Sequence, residues 1–443
     1  MNPRRRSPSV LAAAAAAGLF AAACQPAPVD AQAARARWER MCQIRAEKFD
    51  LVLPKAMRDN DLDMWIVVMR EGLLDPLWEA LGRGYVGGWA YWVFTDGEDR
   101  VERAVLGAGG YRLEECGVYD HFGAEGELAA YVAERDPARI GVNTAEGIGG
   151  ADGLSHTSYE HLRRTLGRHG ERLVSAERFV SDFRSTRTAI ELATFAEAGE
   201  ISREIAERAF SNEVITPGVT TLEDVAWWIS DQQLARGLES SFDMPSVYVT
   251  GPRGIEATST DRVIQRGDLL MIDFGVGFLD FYTDMKRIAY VLREGEIEPP
   301  PGIRHAFERA VDVRDVMKGS IAPAPSAQQA LDRTWAAIEA AGFNRVEFNQ
   351  PTADPAVTDV VIGPHSVGNW GHGIGPSLAF FNPTQLGYEL RPGTLISVEL
   401  FAYTANPEWG DAKIRIPLED DAVVTERGVE WLYPVNSRIL VVK

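Results

Sequence analysis

The feature that most constrains the fold of this chain is a pair of aspartates eleven residues apart, Asp273 and Asp284. The stretch between them reads as a strand, a glycine-bearing turn and a second strand, with its midpoint between Phe278 and Leu279. A hairpin folded symmetrically about that point would place the two carboxylates opposite each other, roughly 5 Å apart at Cβ. Like charges so placed are destabilising unless a positive charge lies between them. The spacing therefore predicts a divalent metal site.

Three later segments offer further metal ligands. His372 stands between two glycines, where the backbone can approach a ligand closely. Glu399 and Glu419 each lie at an apolar run that reads as a strand. Together with the aspartates they form a ligand set for two adjacent ions, which would hold a bridging hydroxide and polarise a carbonyl. The donor types suit Mn²⁺ as the expected ion, with Zn²⁺, Co²⁺ or Fe²⁺ as alternatives.

These motifs resemble those of the pita-bread metallopeptidases, which include methionine aminopeptidases, Xaa-Pro aminopeptidases and prolidases, with the creatinases as relatives. The resemblance covers nearly all of residues 183–443 and includes Arg287, shortly after the second aspartate. It implies an α+β catalytic domain of two related halves, preceded by a smaller α/β domain of the creatinase/prolidase type. It also implies that Glu399 is both a metal ligand and the acid/base that handles the proton of the bridging water. The implied ligands are Asp273, Asp284, His372, Glu399 and Glu419.

Two histidines that are usual in the resembling family are replaced in this chain. Glu256 stands about where the first belongs, and Ala379 lies seven residues after His372, where the second belongs. These histidines normally bind substrate and stabilise the developing oxyanion, a contribution of roughly 3 kcal/mol per donor in other enzymes. His365, seven residues before His372, is the first candidate for a replacement donor, although a loop histidine bonded to the backbone is an open alternative. Candidate substrate-binding residues are Glu256, Tyr282 and Arg415.

The chain divides into four parts. Residues 1–23 carry three arginines and then an apolar run too short to span a bilayer, which indicates a targeting signal. Small residues before Cys24 resemble a bacterial lipoprotein signal, so we expect a periplasmic protein that meets the membrane only through a lipid on Cys24. Ordinary signal-peptidase cleavage nearby is the alternative. A Pro/Ala-rich tether (24–34), an α/β domain (35–182) and the catalytic domain (183–443) follow.

Charge and cysteine content bound the partners. A formal charge of −19 argues against a nucleic-acid partner, which would need a basic patch. Cys42 and Cys116 either pair, as an oxidising compartment allows, or remain as two small unpaired core residues. The resemblance allows a homodimer, but the sequence carries no interface signal.

The expected function is a metal-dependent peptidase of the Xaa-Pro aminopeptidase or prolidase type, which hydrolyses an N-terminal peptide bond with two divalent ions. The choice within the family rests on the resemblance and on the two-domain layout. The two replaced histidines leave two alternatives open, a metal-containing peptide-binding protein without peptidase activity and a hydrolase of a non-peptide amide.

Overall fold

The computed structural model describes residues 32–97, 99–251, 254–256, 261–410 and 412–443. The predicted signal peptide and Cys24 lie outside the described residues, and so does most of the predicted tether. The first helix begins at Gln32, within the last residues assigned to that tether. In the described part of the chain, the structure contains no helix with the length and apolar character needed to cross a bilayer.

The N-terminal domain is a single mixed sheet packed between helices. Its elements in chain order are α1 (Gln32–Glu47), α2 (Leu53–Asp59), β1 (Met64–Arg70), α3 (Trp78–Leu81), β2 (Tyr85–Asp96), β3 (Val101–Gly109), α4 (Tyr111–Glu114), β4 (His121–Gly123), α5 (Leu128–Arg135), β5 (Ile140–Val142), α6 (His156–Leu166), β6 (Leu173–Ser175) and α7 (Glu177–Ser185). The strand order is β4-β3-β2-β1-β5-β6.

Strand β1 is buried on both faces, as its continuous apolar run predicts. Trp65 and Val67 belong to the apolar cluster on one face, and Ile66 and Val68 belong to the cluster on the other. This alternation follows from the two-residue period of a strand. The sheet is therefore the middle layer of the domain.

A disulfide joins Cys42 on α1 to Cys116, two residues after α4, with 5.3 Å between the Cα atoms. The structure thus decides between the two states that the sequence left open. Because the two cysteines are 74 residues apart, the bond restricts the unfolded chain and stabilises the fold by roughly 4 kcal/mol on the loop-entropy account.

The C-terminal domain holds the remaining elements. They are α8 (Ala189–Ala209), α9 (Leu222–Ala235), β7 (Glu239–Ser240), β8 (Ser246–Gly251), β9 (Gly254–Glu256), β10 (Leu269–Phe274), β11 (Val276–Phe278), β12 (Phe281–Tyr282), β13 (Met285–Val291), α10 (Pro301–Ser320), α11 (Ala327–Ala340), β14 (Asn344–Arg345), β15 (Asp359–Ile362), β16 (His365–Ser366), β17 (Leu395–Ser397), β18 (Leu400–Ala405), β19 (Lys413–Leu418), β20 (Asp421–Thr425), β21 (Gly428–Trp431) and β22 (Leu440–Val442).

Two related halves make up this domain, as expected. The first half carries α8 and α9 with the sheet β22-β13-β10-β8-β9, and the second carries α10 and α11 with the sheet β14-β15-β18-β19. Two smaller sheets, β12-β11-β7 and β16-β17-β20-β21, complete the domain. Helix α8 begins with a capping box, in which the Thr188 backbone N–H donates to Glu191 at 2.8 Å.

The hairpin that carries the two aspartates folds about Leu279 and Asp280, one residue later than the symmetric prediction. Both residues have positive φ, 52° and 63°, which matches the two-residue turn favoured between twisted strands. Asp273 consequently pairs with Lys286 and not with Asp284, so the predicted aspartate–aspartate pairing is wrong. The correction places a lysine across from the first aspartate.

Gly275 lies in the predicted glycine-bearing turn, but it does not form the turn in the structure. A Cβ at this position would lie 1.7 Å from the carbonyl oxygen of Thr283 on the opposite side of the hairpin. The glycine therefore permits close approach of the two chain segments, while the turn itself forms farther on without glycine.

Candidate active site

The predicted acidic residues meet where the sheets of the two halves touch. An isolated bridge joins Lys286 on β13 to Glu419, which directly follows β19, and the Lys286 N–H donates to the Glu419 carbonyl at 3.1 Å. Asp284 lies just before β13, and Glu399 lies just before β18. The structure thus brings four carboxylates from distant stretches to one buried centre.

One side of this centre is a group of three side chains, Asp284, His365 and Glu419. Each offers a ligand atom within 4.8 Å of the other two, and all three residues are buried. The His365 Nε2 lies 3.0 Å from Glu419 Oε1 and 3.7 Å from Asp284 Oδ2. Ser397 also donates to Glu419 Oε1, at 2.7 Å. This group has the composition and the spacing of a divalent metal site.

Lys286 forms the other side of the centre. Its ammonium lies 3.1 Å from Asp273 Oδ2 and 2.8 Å from Glu399 Oε1, and it also contacts Glu419 Oε2. Burial alone would lower the pKa of Lys286, but the surrounding carboxylates raise it well above its ordinary value. Sequence reasoning missed this residue. The available signal was its position two residues after Asp284, which places both side chains on the same face of an extended strand.

The electrostatics of the group favour a bound cation. Burial, with the charges of Glu419 and Asp273, raises the pKa of Asp284 well above its ordinary value. Burial would also raise the pKa of Glu419, but Lys286 and the hydrogen bond from His365 outweigh burial and lower it. Burial would lower the pKa of His365, whereas Glu419 raises it. Without a bound ion, the crowded negative charge thus disfavours ionisation of Asp284.

His372, the predicted ligand, lies next to this group and not in it. The ring of His372 is 5.0 Å from the ring of His365, centroid to centroid, and 5.2 Å from that of Phe381. Although the residue is exposed, desolvation and the positive charge of His365 lower the pKa of His372 to about 4. His372 is therefore neutral at pH 7 and stands beside the carboxylate centre.

The other predicted site residues are dispersed. The Tyr282 hydroxyl donates to Glu239 at 2.5 Å, on the small sheet β12-β11-β7. The backbone of Glu256 pairs with Val249, but its side chain lies outside the described residues. Ala379 is fully buried. Arg415 is the predicted substrate-binding residue that does line the cavity above the centre.

That cavity has a volume of about 420 Å³ and an aromatic wall. Its floor is formed by Asp273, Lys286 and Glu399, the lysine side of the centre. The guanidinium of Arg415 lies 4.2 Å from the Phe401 ring centroid and 5.0 Å from that of Phe348. The wall residues are Tyr248, Phe348, Phe380, Phe381 and Phe401. A small ligand in this cavity would contact both aromatic rings and charged groups.

Residues 193–426 match the family model described as Metallopeptidase family M24. The chain belongs to this family. A curated relative is the Uncharacterized peptidase YqhT of Bacillus subtilis (strain 168), which is 24% identical over 295 residues, 62% of this chain and 72% of the relative. The predicted family resemblance is confirmed.

Solved structures show the same two-domain fold. The X-Pro aminopeptidase from Thermotoga maritima MSB8 has a TM-score of 0.62 at 17% identity, over 87% of this chain and 99% of that one. The Xaa-Pro dipeptidase from Bacillus anthracis has a TM-score of 0.59 at 19% identity, over 90% and 99%. The prolidase from Pyrococcus horikoshii OT3 has a TM-score of 0.57 at 17% identity, over 91% and 99%. This M24 protein thus shares the fold across nearly its whole described length.

M24 is a family of divalent-metal enzymes, and the residues present fit one such ion. Asp284 Oδ1 and Glu399 Oε2 are buried and have no hydrogen-bond partner among the described residues. A Cβ on Gly363 would lie 2.5 Å from Glu399 Oε2, so this glycine leaves room for the carboxylate. An unpartnered oxygen on Asp284, beside His365 and Glu419, is the arrangement expected of a ligand set for a single cation.

Proposed function

We propose that this protein is a metal-dependent aminopeptidase or dipeptidase that cleaves the peptide bond before proline. The observation that carries the proposal is the buried group Asp284–His365–Glu419 beside an aromatic cavity whose floor includes Glu399. Membership of family M24 supports a peptidase, and the similar X-Pro aminopeptidase, Xaa-Pro dipeptidase and prolidase structures support the Xaa-Pro type.

The distances support an exchange of the two histidine roles expected from the sequence. His365, and not His372, contacts the carboxylates, and His372 follows it by seven residues. Seven is also the spacing that the family resemblance gives between the ligand histidine and the second, oxyanion-stabilising histidine. We therefore propose His365 as the metal ligand and His372 as the donor to the substrate carbonyl oxygen. On this assignment the chain retains one of the two histidines that its sequence had seemed to lack.

A bound ion would be held by Asp284, His365 and Glu419, and would supply Lewis acidity toward the scissile carbonyl. The chain's own groups then have defined tasks. Glu399 lines the cavity, and its Oε2 has no hydrogen-bond partner among the described residues, so it can accept a proton from the attacking water. Neutral His372 can donate an N–H to the carbonyl oxygen as negative charge develops there.

The cavity wall suits a prolyl peptide. The ring of proline is apolar and rigid, and the faces of Phe348, Phe381 and Phe401 offer it an apolar surface. Arg415 lies among these rings, and its Nε has no hydrogen-bond partner among the described residues. The guanidinium can therefore bind the carboxylate of a short substrate.

Replacing Arg415 with methionine should raise KM for an Xaa-Pro dipeptide by about 10- to 100-fold, because a charge-assisted hydrogen bond contributes about 1.5–3 kcal/mol. The kcat for the same dipeptide should change little. Steady-state kinetics on the dipeptide and on its C-terminal amide measure the effect. The amide is the matched control, since it lacks the carboxylate, and an equal rise in KM for both substrates would exclude carboxylate recognition.

The function itself is tested by incubating the Mn²⁺-loaded protein with an Xaa-Pro dipeptide, an Xaa-Pro-Xaa tripeptide and a Met-initiated peptide without proline. We expect cleavage of at least one prolyl substrate, loss of that cleavage with a chelator, and little cleavage of the third peptide. Preferred cleavage of the Met-initiated peptide would reject the Xaa-Pro assignment. Binding of prolyl peptides without turnover would instead favour a peptide-binding protein.

A further inference from the structure

Strand pairing holds the backbone of Lys286 in place, and the fold thereby sets the direction in which its side chain leaves the strand. Its backbone pairs with Asp273 across the hairpin and with Glu419 across the bridge between the two halves. It also follows Asp284 by two residues, so the two side chains leave the same face of the segment. Three independent relations thus direct this lysine into the carboxylate centre.

The contacts of the ammonium are complete. A lysine ammonium has three N–H donors and no acceptor. Three carboxylate oxygens surround it, namely Asp273 Oδ2, Glu399 Oε1 and Glu419 Oε2. The lysine side chain is only 9% exposed, and that of Glu419 is fully buried. Each donor therefore has an acceptor.

Glu419 divides the centre into two parts. Its Oε2 contacts Lys286, whereas its Oε1 accepts hydrogen bonds from Ser397 and faces His365. The His365 side includes Asp284, whose Oδ2 lies 3.7 Å from His365 Nε2 and whose Oδ1 has no hydrogen-bond partner among the described residues. The other side already contains a positive charge. A second divalent ion there would have to displace the ammonium or lie beside it, and like charges so close repel strongly in a buried site.

We propose that the Lys286 ammonium takes the place of one of two metal ions, so that the centre binds a single divalent ion on Asp284, His365 and Glu419. The inference rests on the proposed function for its choice of ion site, and it departs from the two-ion centre expected from the sequence. Four carboxylates face one divalent ion and one ammonium, which leaves a single net negative charge when His365 is neutral. Lys286 thus supplies one of the two cations at this centre, and the bound metal ion supplies the other.

Metal stoichiometry tests this inference without any activity measurement. Metal-free wild-type protein titrated with Mn²⁺ should bind about one equivalent, as measured by calorimetry and by metal analysis after desalting. Lys286→Ser should bind about two equivalents, because it removes the ammonium and frees the space that the side chain fills among the carboxylates. Lys413→Ser is the matched control, since Lys413 has a side chain only 4% exposed and is paired with Asp359 at 2.6 Å, outside this centre. It should bind one equivalent.

Electron paramagnetic resonance of the wild-type protein provides a second measurement in case the Lys286 variant fails to fold. One equivalent of Mn²⁺ should give the six-line signal of an isolated ion, and further Mn²⁺ should add only the signal of the free ion. Two tightly bound equivalents with an exchange-coupled spectrum would overturn the inference, and so would no bound ion. A protein that binds one ion but cleaves none of the three test peptides would reject the proposed function and leave this inference intact.

Discussion

Asp284→Asn is expected to lower kcat/KM by at least about 100- to 1,000-fold, the range seen when a group that stabilises transition-state charge is removed. Asp284 lies in the proposed ion site, and its Oδ1 has no hydrogen-bond partner among the described residues. The substitution therefore removes a charged ligand oxygen while preserving shape. Kinetics with saturating Mn²⁺ measure the loss, and Asp231→Asn, at an exposed position on α9, is the control that should retain full activity.

The same substitution should stabilise the metal-free protein. Burial and neighbouring charges raise the pKa of Asp284, so its ionised form is disfavoured in the folded state. Stability from a carboxyl group with a raised pKa is present at low pH and is lost as pH rises through the folded-state pKa. The melting temperature of the metal-free Asn variant should thus exceed that of wild type by a margin that grows from pH 4 to pH 7. Equal melting temperatures at pH 7 would contradict the crowded-charge account.

When metal is added, the wild-type protein should melt at a higher temperature than the Asn variant. An ion that binds only the folded wild-type protein raises its stability in proportion to the logarithm of the ion concentration, and the variant lacks a ligand for it. Melting curves of both proteins with and without Mn²⁺ would show the crossover. If the variant retained full activity and full metal content, Asp284 would not be a metal ligand.

Arg287→Met is expected to lower the free energy of unfolding by about 3–5 kcal/mol, the usual cost of removing one partner of a buried ion pair. The Arg287 Nη1 lies 2.8 Å from Asp420 Oδ1, and the two side chains are 2% and 0% exposed. Burial already raises the pKa of Asp420 despite this arginine. Without Arg287, the buried carboxylate of Asp420 loses its nearest cation and is left with the Asn436 N–H, at 2.9 Å, and the more distant Arg314, at 3.9 Å. Urea denaturation of the metal-free protein gives the change.

A double variant separates the charge effect from a packing effect. Arg287→Met combined with Asp420→Asn should recover part of the lost stability, because the buried carboxylate is then removed together with its nearest cation. The single Arg287→Met variant should also become more stable at lower pH, where Asp420 is protonated. A double variant that is as unstable as the sum of both single changes would indicate that packing, and not charge, causes the loss.

Local signals in the sequence predicted local structure well. Thr188 and Glu191 satisfy each other's backbone groups within one turn, so the start of α8 could be recognised without tertiary information. The acids Asp273, Asp284, Glu399 and Glu419 could be recognised because strands and turns around them have distinct patterns. The structure brings all four of these acids to one centre.

The register and the histidine roles could not be obtained in the same way. The turn uses Leu279 and Asp280 at positive φ, a conformation that leucine rarely adopts and that aspartate signals only weakly. A shift of one residue in the turn changed the partner of Asp273 from Asp284 to Lys286. His372 matched a glycine-flanked motif. His365 lies on β16, and the pairing of β16 with β17 brings its side chain to Glu419. Such pairings depend on long-range contacts.

The three-way contact of Lys286 has a consequence for assembly of the domain. Asp273, Glu399 and Glu419 come from segments far apart in the chain, and their mutual repulsion would oppose closure of the two halves. A tethered ammonium cancels part of that repulsion as soon as the strands meet. Because this ammonium is covalently part of the chain, a chelator cannot remove it, and the floor of the cavity keeps its shape when no metal is bound.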